Sequence, residues 1–242
     1  MSKKIKSVIY WAVIAILSAV FLFSIYKVYQ GYSVYRDEAK VKSQMSEYSP
    51  SFSTQDTTVN TNPLQDAKAI NSDICAWIKI DGTNIDYPIV QSNDNNYYLR
   101  RNIYKEYSRH GTIFLDYRCN NQFTDFNTII YGHNMKNSSM FSQLTKYKDR
   151  TFFNQHDTFL IALDSGYLTL KAYAYLIVNE DSKIYSLINS DDQKDLYIDY
   201  INEHAKVLSE SVKIDSTNNL VILSTCTNVT DEQRAVVVAK II

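Results

Sequence analysis

Three residues in this chain combine side-chain types that can carry out acyl transfer. Cys226 closes the apolar run Leu220-Val221-Ile222-Leu223-Ser224-Thr225, which puts a thiol at the polar mouth of a buried strand. Eight residues later Arg234 opens a second apolar run over 235–242. Far upstream, His133 follows a third, Thr128-Ile129-Ile130-Tyr131-Gly132. At one end of a sheet these three would supply a nucleophile, a proton-transfer group and a fixed cation for a developing oxyanion. Taken singly each has an ordinary role: a small buried hydrophobe, a turn residue after glycine, a charge that blocks a strand edge. Their joint occurrence is what points to chemistry. Strands paired across the polar loop between Cys226 and Arg234 would place both at one sheet end, and a barrel would bring His133 to the same rim.

The elements that must position these residues are mostly strands. Apolar runs at 75–80 and 84–90 flank Asp81-Gly82, a hairpin signal. Further runs at 111–116, 128–132, 158–163, 167–178, 220–225 and 235–242 bring the count to eight, without a βαβ rhythm. This predicts a mainly β chain, an antiparallel barrel or sandwich rather than a doubly wound sheet. One long helix is predicted over 191–208, where Tyr197, Ile201, His204 and Leu208 form one apolar stripe. Asp191 and Asp192 sit where a helix N-terminus favours negative charge. The stripe makes His204 a core histidine, while His110 and His156 fall in polar loops. Asn62-Pro63 marks a second helix start.

The net charge of −1 hides an uneven distribution: residues 1–30 carry +4 and the remainder −5. The stretch Ser7 to Tyr26 is uncharged and spans about 30 Å as a helix, the hydrocarbon thickness of a bilayer. Lys3, Lys4 and Lys6 before it and Lys27 after it favour an N-terminus inside and the bulk of the chain outside. A cleaved signal peptide would have an apolar region of about 7–15 residues and a small-x-small site. Here Phe21, Phe23, Ile25 and Tyr26 occupy its end, so an uncleaved anchor is expected. The expected organisation is a cytoplasmic N-terminus at 1–6, a membrane span at 7–26, a polar stalk at 27–62 and one exported domain at 63–242.

Composition excludes several classes. Five Gly and three Pro rule out collagen-like or Pro-rich disordered chains, and the near-zero charge argues against a nucleic-acid binder. Three cysteines are too few for a disulfide-stapled scaffold and leave at least one thiol unpaired or intermolecular. Cys75 and Cys119 are read as packing or surface thiols, with a bond between them left open in an oxidising exterior. There is no Cys-x-x-Cys and no His-Glu-x-x-His, so no zinc, other metal or cofactor is expected. Twenty tyrosines is an unusually large number, for which composition alone supplies no reason.

From about residue 60 to 242 the chain resembles the sortases, and among them the class B sortases. Ile222-Leu223-Ser224-Thr225-Cys226 looks like the family's Thr-Leu-x-Thr-Cys signature, with Ile222 in place of its first Thr, a departure that touches packing more than chemistry. The run from Asn127 to Met135 matches the class B histidine strand, and Arg234-Ala235-Val236-Val237-Val238-Ala239 the final arginine strand. Gly111-Thr112-Ile113-Phe114-Leu115-Asp116 is similar to another class B segment, and the helix at 191–208 matches the insertion before the Cys strand.

The resemblance implies an eight-stranded sortase-type β-barrel with N-terminal helices. It implies Cys226 as nucleophile, His133 as general acid/base and Arg234 as oxyanion stabiliser, with Ser224 contacting substrate. Asp94-Asn95-Asn96-Tyr97-Tyr98-Leu99 looks like the family's Asp-Asn-x-x-Tyr-Leu segment, in which Asn95 and Leu99 would line the peptide groove. The implied activity is a cysteine transpeptidase of Gram-positive bacteria. It would cleave an Asn/Ser-Pro-x-Thr-Gly/Asn sorting motif after Thr through a thioester and join the protein to the wall. The implied partners are a surface protein bearing the sorting signal, an amine of lipid II or a peptidoglycan cross-bridge, and the membrane through the N-terminal anchor. That the chain closes on a strand at Ile242, without a hydrophobic tail, fits an enzyme that attaches other proteins rather than a substrate. The competing readings are a membrane-anchored cysteine peptidase or cell-wall hydrolase, a pilus-assembling sortase, and a tethered binding module whose Cys226 is merely buried. Papain-like enzymes usually place Cys before His, so the order here argues against the first.

Overall fold

Short β-branched runs punctuated by turns form strands, and the strands here close on themselves. The structure, a computed structural model, describes residues 3–52, 62–226 and 233–242, apart from the side chains of Lys3, Val34 and Cys226. The chain divides into two compact units, Met1–Lys40 and Val41–Ile242. Helix α1 (Lys3–Ser46) makes up the described part of the first and enters the second. In the first unit large apolar side chains such as Trp11, Phe21 and Leu22 lie exposed around the helix. It is long and apolar enough to cross a membrane, a possible anchor on length and composition. The central part of the expected stalk, residues 53–61, lies outside the described residues.

The second unit contains α2 (Gln65–Ile70), β1 (Ile74–Ile80), β2 (Asp86–Val90), β3 (Phe114–Leu115) and β4 (Asn127–Tyr131). After these come α3 (Arg150–Gln155), β5 (Thr158–Leu163), β6 (Gly166–Asn179), α4 (Asp191–His204), β7 (Ala205–Leu208), β8 (Leu220–Cys226) and β9 (Gln233–Ile241). The strand order is β5-β1-β2-β3-β4-β8-β9-β6, and β6 pairs back onto β5 to close an eight-stranded barrel. Strand β7 adds to the outer half of β6. Closure removes the exposed edges that an open sheet would present.

Strand β1 is buried along almost its whole length because both faces are covered. Ala76, Ile78 and Ile80 belong to one large core cluster with Ile129, Ile222, Leu223, Val236 and Val238, each burial contributing about 1.5–3 kcal/mol for the larger aliphatics. Trp77 belongs to a second core with Met45, Leu64 and Ala67. Its indole N–H, which would be costly to bury alone, donates to Asp86 at 2.6 Å. The β1–β2 hairpin turns at Gly82, whose φ of +74° and close approach to the His156 ring leave no room for a Cβ.

Four expectations are corrected. The barrel is not wholly antiparallel: β4 and β8 run parallel, Asn127 opposite Leu220 through Tyr131 opposite Ser224, and so does the short contact of β2 with β3. A parallel pair needs a long crossover, and the segment between β4 and β8 supplies it. The predicted helix over 191–208 ends at His204, and its last four residues form β7. There the pattern changes from the 3.6-residue stripe to alternation, with Val207 buried and Lys206 exposed. His204 is accordingly exposed rather than in the core, stacked on Tyr200 with ring centroids 4.1 Å apart. His110 departs in the other direction and is 4% exposed.

The tyrosines acquire a reason. Many bury their rings and tie one segment to another through the hydroxyl: Tyr98 to Asp73, Tyr147 to the His156 carbonyl, Tyr197 to the Ile184 carbonyl, Tyr173 to Asn202. Each supplies apolar area and a polar tether in one side chain. Cys75 and Cys119 are both buried and unbridged.

Candidate active site

The register of three neighbouring strands sets the site. Strands β8 and β9 pair antiparallel with Cys226 opposite Arg234, so the polar loop between them, outside the described residues at 227–232, returns the chain to the same rim. On the other side of β8, the parallel register ends with Tyr131 opposite Ser224, and the Gly132 N–H donates to the Ser224 carbonyl at 3.0 Å. His133 follows this last pair by two residues on one strand, as Cys226 follows it by two on the other. The three chemistry-bearing residues thus occupy the ends of β4 and β8 and the start of β9.

A cleft of about 320 Å³ opens at this rim. It is lined by five of the sequence-predicted residues, Asn95, Leu99, His133, Ser224 and Arg234. The sixth, Cys226, is placed by its backbone at the end of β8. Asn95 and Leu99 reach the cleft because the Asp94 carboxylate accepts from the N–H groups of Asn96 and Tyr97, both at 2.7 Å. That Asx turn starts a short 3-10 helix over Tyr98–Arg100.

His133 is half-buried, and its Nε2 lies 3.2 Å from the Leu99 carbonyl oxygen. Because a carbonyl only accepts, Nε2 carries the proton of this contact and Nδ1 is left as the basic nitrogen. Burial pushes the imidazole pKa below its ordinary value; the Leu99 carbonyl works in the opposite direction, and the nearby His110 and Arg100 add to the lowering. Gly132 precedes it where a Cβ would meet the Phe141 ring at 2.7 Å. Arg234 donates through Nη2 to Glu180 at 2.7 Å and through Nη1 to the Gln233 carbonyl at 3.2 Å. The carboxylate of Glu180 holds the guanidinium at the cleft wall.

The cleft has further residues that sequence reading missed: Phe114, Tyr131, Glu180, Tyr185 and Thr225. Phe114, Tyr131 and Tyr185 form a row of rings, with centroids 5.3 Å apart for the first pair and 6.0 Å for the second. The Tyr185 hydroxyl lies 2.8 Å from that of Ser224. Glu180 follows β6, whose Val178 is opposite Arg234, a pairing between residues too distant in sequence to leave a local signal. The abundance of tyrosine was the one visible hint of the aromatic wall. Among the described residues no group of three or more His, Cys, Asp or Glu could hold a metal ion.

Comparison with known proteins agrees with this geometry. A family model described as the sortase domain matches residues 78–242. The chain is 35% identical over 239 residues to Sortase B of Listeria monocytogenes, covering 96% of this chain and 95% of that protein. The crystal structure of Clostridium perfringens sortase B is similar with a TM-score of 0.70 and 32% identity, over 74% of this chain and 98% of that one. A Streptococcus pyogenes class B sortase involved in pilus biogenesis is similar with a TM-score of 0.67 and 33% identity, over 74% and 97%.

Proposed function

This chain belongs to the sortase family, as a class B sortase and a cysteine transpeptidase of the cell wall, and on that premise we propose how its cleft performs the transfer. A sorting peptide of the Asn/Ser-Pro-x-Thr-Gly/Asn type lies in the cleft with Asn95, Leu99 and Ser224 along it. The Cys226 thiolate attacks the carbonyl carbon of the Thr, and Arg234 stabilises the charge that develops on the oxygen. As the tetrahedral intermediate collapses, the amide C–N bond breaks and His133 gives its proton to the leaving amine. An amine of lipid II or a peptidoglycan cross-bridge then attacks the thioester and gives a proton to the now neutral His133, the C–S bond breaks to release the thiolate, and a new amide forms.

The observation that supports this reading is the register that pairs Cys226 with Arg234 and ends β4 opposite Ser224, two residues before His133, with His133, Ser224 and Arg234 all lining the cleft. The N-terminal helix supports a membrane anchor, with the N-terminus cytoplasmic and the enzyme outside. Confinement to the membrane that carries a lipid-linked acceptor raises the effective concentration of the acceptor. Similarity to the S. pyogenes enzyme supports a second reading, in which the acceptor amine is a lysine of a pilus subunit.

Acceptor partitioning tests the reading. The purified full-length chain, given a quenched five-residue sorting peptide and a peptidoglycan stem-peptide amine, is expected to yield the peptide–amine conjugate as well as free acid. Hydrolysis alone at every amine concentration would identify a peptidase. Transfer only to a lysine-bearing pilin peptide would select the second reading.

The His133 environment gives a pH prediction. Its lowered pKa keeps the ring mostly neutral at pH 7, so the thiolate–imidazolium pair is a small fraction and turnover is slow. Because the proposed step needs a thiolate and an imidazolium together, kcat/KM is expected to be bell-shaped, with His133 setting the acid limb below about 6.5, the ordinary histidine value. Arg100→Ala removes a positive charge that opposes protonation, and it is expected to move the acid limb to higher pH. A pH series on both proteins reads this directly.

A further inference from the structure

One carboxylate beneath the cleft is surrounded by donors that all lead to its walls. Asp116 is fully buried and directly follows β3. Its Oδ1 accepts from the Arg118 backbone N–H at 3.0 Å and from Arg118 Nε at 2.8 Å. Its Oδ2 accepts from Arg118 Nη2 at 2.7 Å, from Asn95 Nδ2 at 3.0 Å and from the Tyr131 hydroxyl at 3.1 Å. Arg118 Nη2 also donates to the Tyr185 carbonyl at 3.1 Å. Asn95, Tyr131 and Tyr185 stand on three different segments, and all three line the cleft.

A carboxylate accepts and never donates, which settles the orientation of the Asn95 amide. Its NH₂ must face Asp116, and its Oδ1 faces away, where it accepts from the Tyr117 N–H at 3.0 Å. One N–H of Asn95 is spent on Asp116. The second is the donor that Asn95 has to offer a ligand in the cleft. The charge state fits this arrangement. Burial pushes the Asp116 carboxyl up, but the Arg118 and Asn95 hydrogen bonds outweigh it and hold the group below its ordinary value. Burial and the Asp116 charge both keep Tyr131 protonated, as a donor must be.

Building on the peptide-cleft reading above, we propose that the Asp116–Arg118 pair is the positioning device of the peptide cleft, fixing Asn95 as a hydrogen-bond donor toward an acceptor group of the sorting peptide. Asp116 itself does not touch the substrate. It acts through Asn95 and Tyr131, so its removal loosens recognition of the peptide more than the chemistry at Cys226.

A double-mutant cycle on the full-length enzyme tests this, using Asp116→Asn, Asn95→Ala and the pair, with KM and kcat measured on the quenched sorting peptide. An asparagine at 116 can offer either an acceptor or a donor, so the Asn95 amide loses its charged anchor and is oriented by the Tyr117 N–H alone. Asp116→Asn is expected to raise KM about tenfold, the effect of one lost hydrogen bond of ordinary strength, with a smaller change in kcat. In the Asn95→Ala background the same change is expected to add less than about twofold. A purely structural role would instead give multiplicative effects, and it would lower kcat and the melting temperature without touching the KM coupling. Should Asp116→Asn fail to fold, Arg118→Gln weakens the same clamp from its more exposed side and is expected to raise KM in the same direction. Unchanged KM in a folded variant, or effects that multiply, would overturn the inference while leaving the transpeptidase reading intact. Absence of any peptide turnover by the wild type would overturn that reading instead.

Discussion

Cys226→Ala is expected to abolish peptide cleavage and amine transfer together, by more than about 10⁴-fold, with the fold retained. In the proposed mechanism both half-reactions pass through the same sulfur, so no step survives its loss. His133 and Arg234 would remain, but a proton donor and an oxyanion partner have nothing to act on without an attacking atom. Neither of the other thiols can take over. Burial pushes Cys75 up to about 12 and Cys119 up to about 11, so neither holds an appreciable thiolate fraction at neutral pH. Both also lie in the barrel core rather than at its rim. Chromatographic assay of cleaved and transferred peptide, alongside a melting curve, separates loss of chemistry from loss of structure.

Arg234→Ala is expected to lower kcat by about 10²–10³-fold with a smaller effect on KM, the loss that follows removal of one oxyanion donor. The guanidinium interacts most strongly when charge appears on the substrate oxygen, so its contribution belongs to the transition state. Arg234→Lys is expected to recover only part of the rate, since an ammonium keeps the charge but loses the planar fork. The Glu180 partner provides the control. If Arg234 served only to hold Glu180, then Glu180→Gln would be as damaging as Arg234→Ala. Because Glu180 is 61% exposed, Glu180→Gln is expected to cost less than about tenfold. Single-turnover rates on the four proteins decide between the two roles.

Much of this site was legible in the residues because each chemical group ends or begins an apolar strand. The run from Leu220 to Cys226 and the run after Arg234 are strands in the sequence and in the structure, and their antiparallel pairing follows from the short loop between them. The parallel pairing of β4 with β8 was not legible, since nothing local in either segment distinguishes a neighbour ninety residues away. That pairing is nevertheless what brings the end of β4, two residues before His133, beside Ser224 on β8. The helix at 191 was found by its stripe, but its end was overrun because Val207 and Leu208 fit a helical spacing as well as the alternation of β7.

The polar groups behind the cleft were hidden for a different reason. Asp116 and Arg118 look like any charged pair in a loop, and Glu180 like a solvated turn residue. Their roles come from hydrogen bonds between segments that meet only once the barrel has closed. The histidines show the same limit. His110 sits in a polar stretch yet is buried, and His204 sits on an apolar stripe yet is exposed, because burial is decided by what packs above a side chain.

The central claim is that the peptide is carried on Cys226 as a thioester between cleavage and transfer. Mixing an excess of the full-length enzyme with the sorting peptide, quenching in acid within the first turnover, and mapping the digested chain by mass spectrometry tests it most directly. The account predicts an adduct with the mass of the peptide fragment ending in Thr, located on Cys226, absent from Cys226→Ala and cleared when an amine is added before the quench. Peptide cleavage by the wild type with no adduct at Cys226, or undiminished cleavage by Cys226→Ala, would contradict it.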